Sequence, residues 1–175
     1  ALTDALTGVA NRKLFDETLR LRREEADAEK TDLSLILCDI DHFKSFNDTW
    51  GHQTGDQVIR FVASALTKFA LPDHLVARYG GEEFAILLPS ITRARAVRTA
   101  ERLRRVVADA NFGEVISVLA GMKMSISLGL ALYPDDAATS KQPDAHGIQI
   151  TLTDSCHVSS NKRRFILPPH SSPPD

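Results

Sequence analysis

Arg78-Tyr79-Gly80-Gly81-Glu82-Glu83-Phe84 is the stretch on which the reading of this chain turns. Strand-like runs flank it, His74-Leu75-Val76-Ala77-Arg78-Tyr79 before and Phe84-Ala85-Ile86-Leu87-Leu88 after. Two glycines between such runs predict a β-hairpin, because a tight hairpin turn needs positive φ and glycine adopts it at little cost. The turn passes straight into Glu82 and Glu83. Carboxylates beside bare glycine backbone suit a divalent cation, with room for a phosphate to come close. On its own such a turn reads as solvated surface; a second acidic strand end elsewhere in the chain decides otherwise.

That second end follows Leu33-Ser34-Leu35-Ile36-Leu37-Cys38, a nearly continuous apolar run of the kind found in strands covered on both faces. It closes on Asp39-Ile40-Asp41, which delivers carboxylates at a C-terminal strand edge. The run is preceded by turn chemistry at Asp4–Arg12 and a helix whose Leu14, Phe15, Thr18 and Leu19 share a face. From Arg20 to Lys30 that helix becomes a charged, solvated surface. After Asp41 comes a polar stretch with three aromatics, His42 to His52. A core-facing helix then starts at Thr54-Gly55-Asp56 and carries Val58, Ile59, Val62, Ala65, Leu66 and Phe69 at helical spacing.

Leu71-Pro72-Asp73 breaks that helix before the hairpin, and beyond the hairpin Thr92 suits the N-cap of another. Its expected buried stripe is Ala96, Val97, Ala100, Leu103, Val106 and Val107. The opposite face holds six arginines interrupted by Glu101, without interleaved aromatics, and reads as solvated rather than as a nucleic-acid surface. In Met122 to Leu132, Met124, Ile126, Leu128 and Leu130 alternate with Ser125, Ser127, Gly129 and Ala131. Strands therefore alternate with helices, with one hairpin inserted. The expected fold is an α/β (α+β) sandwich with a mixed central sheet and flanking helices.

The chain has 175 residues, enough for one domain with a substantial core. A formal net charge of −2 argues against a nucleic-acid partner held by bulk charge. Cys38 and Cys156 are too few for a disulfide framework or a zinc site, and Cys38 reads as a small core residue. No apolar stretch is long enough for a membrane span and no signal peptide opens the sequence, so a cytosolic setting is expected. The abrupt start fits a piece of a longer protein. Residues 1–136 are expected to form the domain core and 137–175 a divergent segment, irregular or partly disordered. Within it, Ile148, Ile150 and Leu152 alternate with polar residues and suggest one short strand, and 167–175 reads as a disordered tail.

Four stretches, in order, resemble the GGDEF family, the diguanylate cyclases of bacterial signalling. They are Asp4-Ala5-Leu6-Thr7-Gly8-Val9-Ala10-Asn11-Arg12, Asp39-Ile40-Asp41-His42-Phe43-Lys44-Ser45-Phe46-Asn47-Asp48, Gly51-His52-Gln53-Thr54-Gly55-Asp56, and the hairpin stretch Arg78–Phe84. Ser127-Leu128-Gly129-Leu130-Ala131 is similar to the family's later strand. The resemblance covers about three-quarters of the chain. It implies a nucleotidyl cyclase, palm-like fold and the condensation of two GTP molecules into cyclic di-GMP and pyrophosphate. Two such domains would face each other as a homodimer, each 3′-hydroxyl attacking the other nucleotide's α-phosphate.

The resemblance also assigns roles. Mg²⁺ (or Mn²⁺) would lie between Asp39 and Glu82 with the Ile40 carbonyl, and Glu83 would be a further ligand or help activate the attacking hydroxyl. Lys44 and the amides near Phe43 suit the β- and γ-phosphates, and Gly80, Gly81 and His52 fall in the substrate-binding stretches. Asn47 and Asp56 match the family's guanine-reading pair. An upstream sensor domain is the expected regulatory partner. Two departures stand out. Leu71-Pro72-Asp73-His74 lacks both residues of the Arg-x-x-Asp motif that carries product inhibition, and nothing after Tyr133 matches the family's closing helix with its phosphate-clamping lysine and arginine. A catalytically weak or silent GTP-binding module is the alternative these departures leave.

Overall fold

In a computed structural model, the structure describes residues 1–135 and the backbone of three short strands beyond them. The elements are α1 (Arg12–Glu29), β1 (Leu33–Ile40), α2 (Phe43–Trp50), α3 (His52–Phe69), β2 (Leu75–Arg78), β3 (Glu83–Pro89), α4 (Arg93–Asp109) and β4 (Ile126–Tyr133). The later strands are β5 (Ala137–Ala138), β6 (Gln149–Thr151) and β7 (Arg164–Ile166), which form a separate small sheet. The strand expected around Ile150 is thus present as β6. Ile148, Leu152 and the expected tail at 167–175 lie outside the described residues.

The main sheet has the order β2-β3-β1-β4. Its centre is β1, whose alternation of apolar side chains feeds two cores. Ile36, Cys38 and Ile40 point to one face with Phe84, Ile86 and Leu88 of β3 and Ile126, Leu128 and Leu130 of β4. That face is covered by α2, α3 and α4 through residues such as Phe46, Val62, Leu66, Ala100 and Leu103. Leu33, Leu35 and Leu37 point to the other face, where α1 lays down Phe15, Leu19 and Ala26. Each strand is buried on both sides, which is why the runs read as nearly unbroken apolar sequence. Cys38 is a core residue, and burial pushes its thiol pKa up.

The sandwich and its inserted hairpin are as expected, but the sheet is not mixed. Every neighbouring pair, β1–β3, β1–β4 and β2–β3, is antiparallel. The chain does make parallel β-helix-β crossovers, from β1 to β2 and from β3 to β4. The hairpin slots β3 between β1 and β2, and β1 lies between β3 and β4, so both crossovers are split. Alternation of strands and helices in sequence cannot tell a split crossover from an adjacent one.

Three local expectations are corrected. The stretch after Asp41 is a helix, α2, whose Phe43, Phe46 and Trp50 recur at i, i+3 and i+7. Val97 is 42% exposed, because the buried stripe of α4 runs through Ala96, Ala100, Leu103 and Val107, about one helical turn apart. Neither Gly80 nor Gly81 takes the left-handed φ proposed for the turn. The N-cap at Thr92 is observed, its side chain accepting from the Arg95 amide. At the other end of the fold, Asn11 caps α1 by accepting from the Leu14 amide.

The turn between α3 and β2 holds a titratable device. The His74 side chain is 4% exposed, and its Nδ1 accepts a hydrogen bond from the Leu71 amide at 3.2 Å. Burial lowers its pKa, Arg95 adds to the lowering and Asp73 opposes it. A folded-state pKa below the unfolded value favours the native state above the ordinary histidine value of about 6.5, and that benefit is lost as pH falls through the folded value. His74→Gln is therefore expected to flatten the decline of stability below about pH 6.5, as measured by urea unfolding at a series of pH values. An unchanged profile would rule out His74 as its source.

Candidate active site

Two strand ends build the site. In the β1–β3 ladder Asp39 lies directly across from Glu83. One residue on, the Ile40 amide donates to the Glu82 carbonyl at 3.3 Å. The turn itself is closed by the Tyr79 and Gly80 amides, which donate to the Glu83 carbonyl at 2.8 and 3.3 Å. Asp39, Glu82 and Glu83 are all half-buried and share one rim of the sheet.

The need for glycine at position 80 is one of space. A Cβ added there would come within 2.8 Å of Glu83 Oε2, so the carboxylate folds back over the bare Cα. A Cβ at Gly81 would meet nothing within 4 Å. Gly80→Ala is thus expected to leave thermal stability unchanged or slightly raised, since a backbone outside the left-handed region accepts alanine. Displacing the Glu83 carboxylate should nevertheless cut turnover roughly a hundredfold, as small misplacements of reacting groups do. Full activity in Gly80→Ala would refute a working role for Glu83 in this position.

Beyond Ile40 the chain turns sharply. His42 adopts φ 57° and starts α2 without a side-chain cap, so the first-turn amides near Phe43 and Lys44 have no side chain bonded to them at that end. Such an end favours an anion. Lys44 is exposed on the same turn. Asp41 has a different task. Its carboxylate accepts from the hydroxyls of Ser125 and Ser127, and its amide donates to the Ser125 carbonyl at 3.0 Å. It pins the β1–α2 turn to β4.

The helices α2 and α3 meet at Gly51, whose φ of 84° lets one stop and the next begin. They pack so closely that a Cβ on Gly55 would overlap Asn47 Oδ1 and reach 3.1 Å from Phe43 Cζ. Asn47 on α2 therefore sits against Gly55, next to Asp56 on α3. Asn47 Oδ1 is buried and has no hydrogen-bond partner among the described residues. His52 opens α3 and is exposed.

Sequence reasoning missed one further connection. Arg78 Nε and Nη2 donate to the Gly81 carbonyl at 3.0 and 2.8 Å, and Nη1 reaches both oxygens of Asp4 at 3.3 Å. Asp4 also accepts from the Thr7 amide and hydroxyl. Burial opposes ionisation of Asp4, but the Thr7 bonds and Arg78 outweigh it and hold the carboxyl below its usual range. The partners are 74 residues apart, and no local pattern announces them.

The donor set fits a hard divalent cation. Among the described residues no group of three or more His, Cys, Asp or Glu is gathered as a self-contained metal cage. Mg²⁺ is commonly held by one or two carboxylates together with substrate phosphates rather than by an all-protein cage. Two strand-end carboxylates and a main-chain carbonyl, beside a helix end suited to phosphate, match that pattern.

The profile described as "Diguanylate cyclase, GGDEF domain" matches residues 1–146. The chain belongs to the GGDEF family. Among relatives of this GGDEF domain, the "Uncharacterized protein YhcK" of Bacillus subtilis is 43% identical over 134 residues, covering 76% of this chain and 37% of that protein. The "Probable diguanylate cyclase DgcT" of Escherichia coli is 42% identical over 134 residues, 77% of this chain and 29% of that protein. The GGDEF domain of DgcB from Caulobacter crescentus, solved in complex with c-di-GMP, superposes with a TM-score of 0.71 at 45% identity, covering 75% of this chain and 77% of that one. The chain thus spans only 37% and 29% of those two curated relatives. No helix among the described residues is long and apolar enough to cross a membrane.

Proposed function

We propose that this GGDEF domain is a diguanylate cyclase that condenses two GTP molecules into cyclic di-GMP and pyrophosphate. The observation that carries the reading is the register of β1 and β3, which sets Asp39 opposite Glu83 and ties Ile40 to Glu82. Asp39, Glu82 and the Ile40 carbonyl would hold Mg²⁺ (or Mn²⁺), with Glu83 beside them. The cation, when bound, supplies positive charge to offset that of the phosphates. Glu83 is suited to accept the proton of the attacking 3′-hydroxyl. The α2 amides and Lys44 suit the β- and γ-phosphates. Asn47 and Asp56 would hold the guanine edge, while Gly81 leaves room for the nucleotide, Gly80 makes room for the Glu83 carboxylate, and exposed His52 borders the site. Because one domain holds one GTP, catalysis requires a second copy facing the first.

The likeness to cyclase domains of much longer relatives supports an upstream sensor as regulatory partner, and a GTP-using reaction supports a cytoplasmic setting. Incubating the protein with GTP and Mg²⁺ and assaying for cyclic di-GMP tests the reading. GTP binding without turnover would instead favour the silent binding module, which the missing closing-helix motif after Tyr133 supports. The division into a core, 1–136, and a divergent segment, 137–175, is part of the same proposal.

Feedback by product is not expected through the α3–β2 turn. Leu71, in place of the motif's arginine, is 51% exposed, and His74, in place of its aspartate, turns inward to bond the Leu71 amide. Cyclic di-GMP should leave the initial rate unchanged at micromolar concentrations. Inhibition that Asp73→Ala or His74→Ala relieves would contradict this.

A further inference from the structure

We infer that Arg78 is a positioning residue that aims the Glu82 carboxylate, with Asp4 as the counter-ion that holds Arg78 in place. The inference rests on the cyclase reading for its catalytic consequence, but its structural content stands independently. Two peptide planes flank Glu82. The one before it is fixed by Arg78, whose guanidinium makes a forked contact with the Gly81 carbonyl at 3.0 and 2.8 Å. The one after it is fixed from the other side by the Ile40 amide at 3.3 Å. With both planes held, the direction in which Cα of Glu82 projects its side chain is set. A Cβ at Gly81 would meet no atom within 4 Å, so among the described residues no group packs against that side of its Cα.

Arg78 is itself well anchored. Its side chain is 18% exposed and its Asp4 partner 22%, so the pair is shielded from solvent more than an ordinary surface ion pair. Its amide donates to the Ala10 carbonyl at 2.9 Å, and the Ala10 amide donates to the Val76 carbonyl at 3.2 Å. The Asp4 turn is closed by bonds of 2.8 Å from Asp4 N to Val9 O and from Gly8 N to Asp4 O. The N-terminal turn is thereby stitched to the edge of β2 and, through one guanidinium, to the loop bearing Glu82. Arginine suits the task because its planar fork serves the carbonyl and the carboxylate at once, whereas lysine offers a single point of donation.

The test uses Arg78→Met, Arg78→Lys and Asp4→Asn in the whole chain, read in two ways. The first is amide hydrogen exchange. In Arg78→Met the Ile40 and Tyr79 amides, which bond to Glu82 and Glu83, should exchange about tenfold or more faster, while the Ile36 amide at the centre of β1 keeps its protection. The second is the Mn²⁺ concentration giving half-maximal turnover, expected to rise about tenfold, as it does on loss of groups that orient metal ligands. The KM for GTP at saturating Mn²⁺ should stay within about twofold, a split that general loosening of the fold would not produce. Arg78→Lys should restore only part of either effect, and Asp4→Asn, which keeps an acceptor oxygen, should show the smaller shift. Unchanged protection of Ile40 and Tyr79 in Arg78→Met overturns the proposal, as does an unchanged Mn²⁺ requirement. If Arg78→Met does not fold, Arg78→Lys and Asp4→Asn are read against the same outcomes. Altered exchange in a protein that makes no cyclic di-GMP would sink the cyclase reading and leave the positioning role standing.

Discussion

Asp39→Asn or Glu82→Gln is expected to reduce cyclic di-GMP formation about a thousandfold or more while leaving the fold intact. A bound cation is worth several kcal/mol to a reaction that gathers charge on phosphate, and each ~1.4 kcal/mol is a factor of ten. Replacing a carboxylate by its amide keeps the shape and removes the charge. Stability should hardly change, because both residues are half-buried at the rim of the sheet. The bond tying Ile40 to Glu82 is also main chain to main chain, and neither substitution removes it. Turnover with GTP and Mg²⁺, set beside the thermal midpoint, checks the claim. Either variant retaining a tenth of the activity with an unaltered midpoint would remove that residue from the metal site.

The two carboxyl-bearing strand ends were legible because each is written in consecutive residues. An apolar run followed by Asp39-Ile40-Asp41 states both the strand and its exit, and the runs around Gly80-Gly81 state the hairpin. The alternation in Met124 to Leu130 was equally local, and Ile126, Leu128 and Leu130 do share one core. What the sequence left hidden depends on where distant pieces meet. The insertion of β3 between β1 and β2 is a choice of sheet order, so it turned an expected mixed sheet into an antiparallel one. Helix α2 carried a periodic signal in Phe43, Phe46 and Trp50, but its eight residues are too few for that signal to outweigh the polar ones between them.

The same division holds for the site. The hairpin glycines read as sites of backbone freedom, yet position 80 is restricted by the Glu83 carboxylate folded over it, and position 55, which reads only as a helix start, by Asn47. The first is a contact within the turn that depends on how the Glu83 side chain folds back, and the second joins two helices. Asp41, which the strand end offered as one more acid, is instead tied to Ser125 and Ser127, 84 and 86 residues away. The apolar run and its exit do not distinguish it from Asp39; the family resemblance singles out Asp39, and the sheet register puts Asp39 across from Glu83.

Base choice should depend on Asp56 and Asn47, and Asp56→Ala is expected to weaken GTP binding roughly tenfold to a hundredfold, the loss of a charge-assisted contact worth about 1.5–3 kcal/mol. Guanine presents a donor at N1 and an amino group at C2, and a carboxylate can accept from both. Adenine offers an acceptor at N1 and no 2-amino group, so it would leave the Asp56 carboxylate facing a lone pair. Asn47 adds a second penalty. Its Oδ1 is buried with no hydrogen-bond partner among the described residues, wedged against Gly55, and an unsatisfied buried acceptor costs about 1–3 kcal/mol. The second hydrogen of guanine's 2-amino group would relieve that cost, and adenine, with no amino group at C2, would leave it in place, which is how a polar site rejects an analogue. Gly55→Ala should therefore behave like Asn47→Ala, because the added methyl claims the space that Asn47 Oδ1 occupies. Calorimetry with GTP and ATP on the unmutated protein and on Asp56→Ala and Gly55→Ala tests all of this together. Equal affinity of the unmutated protein for the two nucleotides would refute the guanine-reading pair. Undiminished GTP binding in Gly55→Ala would show that the close approach of α2 and α3 serves packing and not the base.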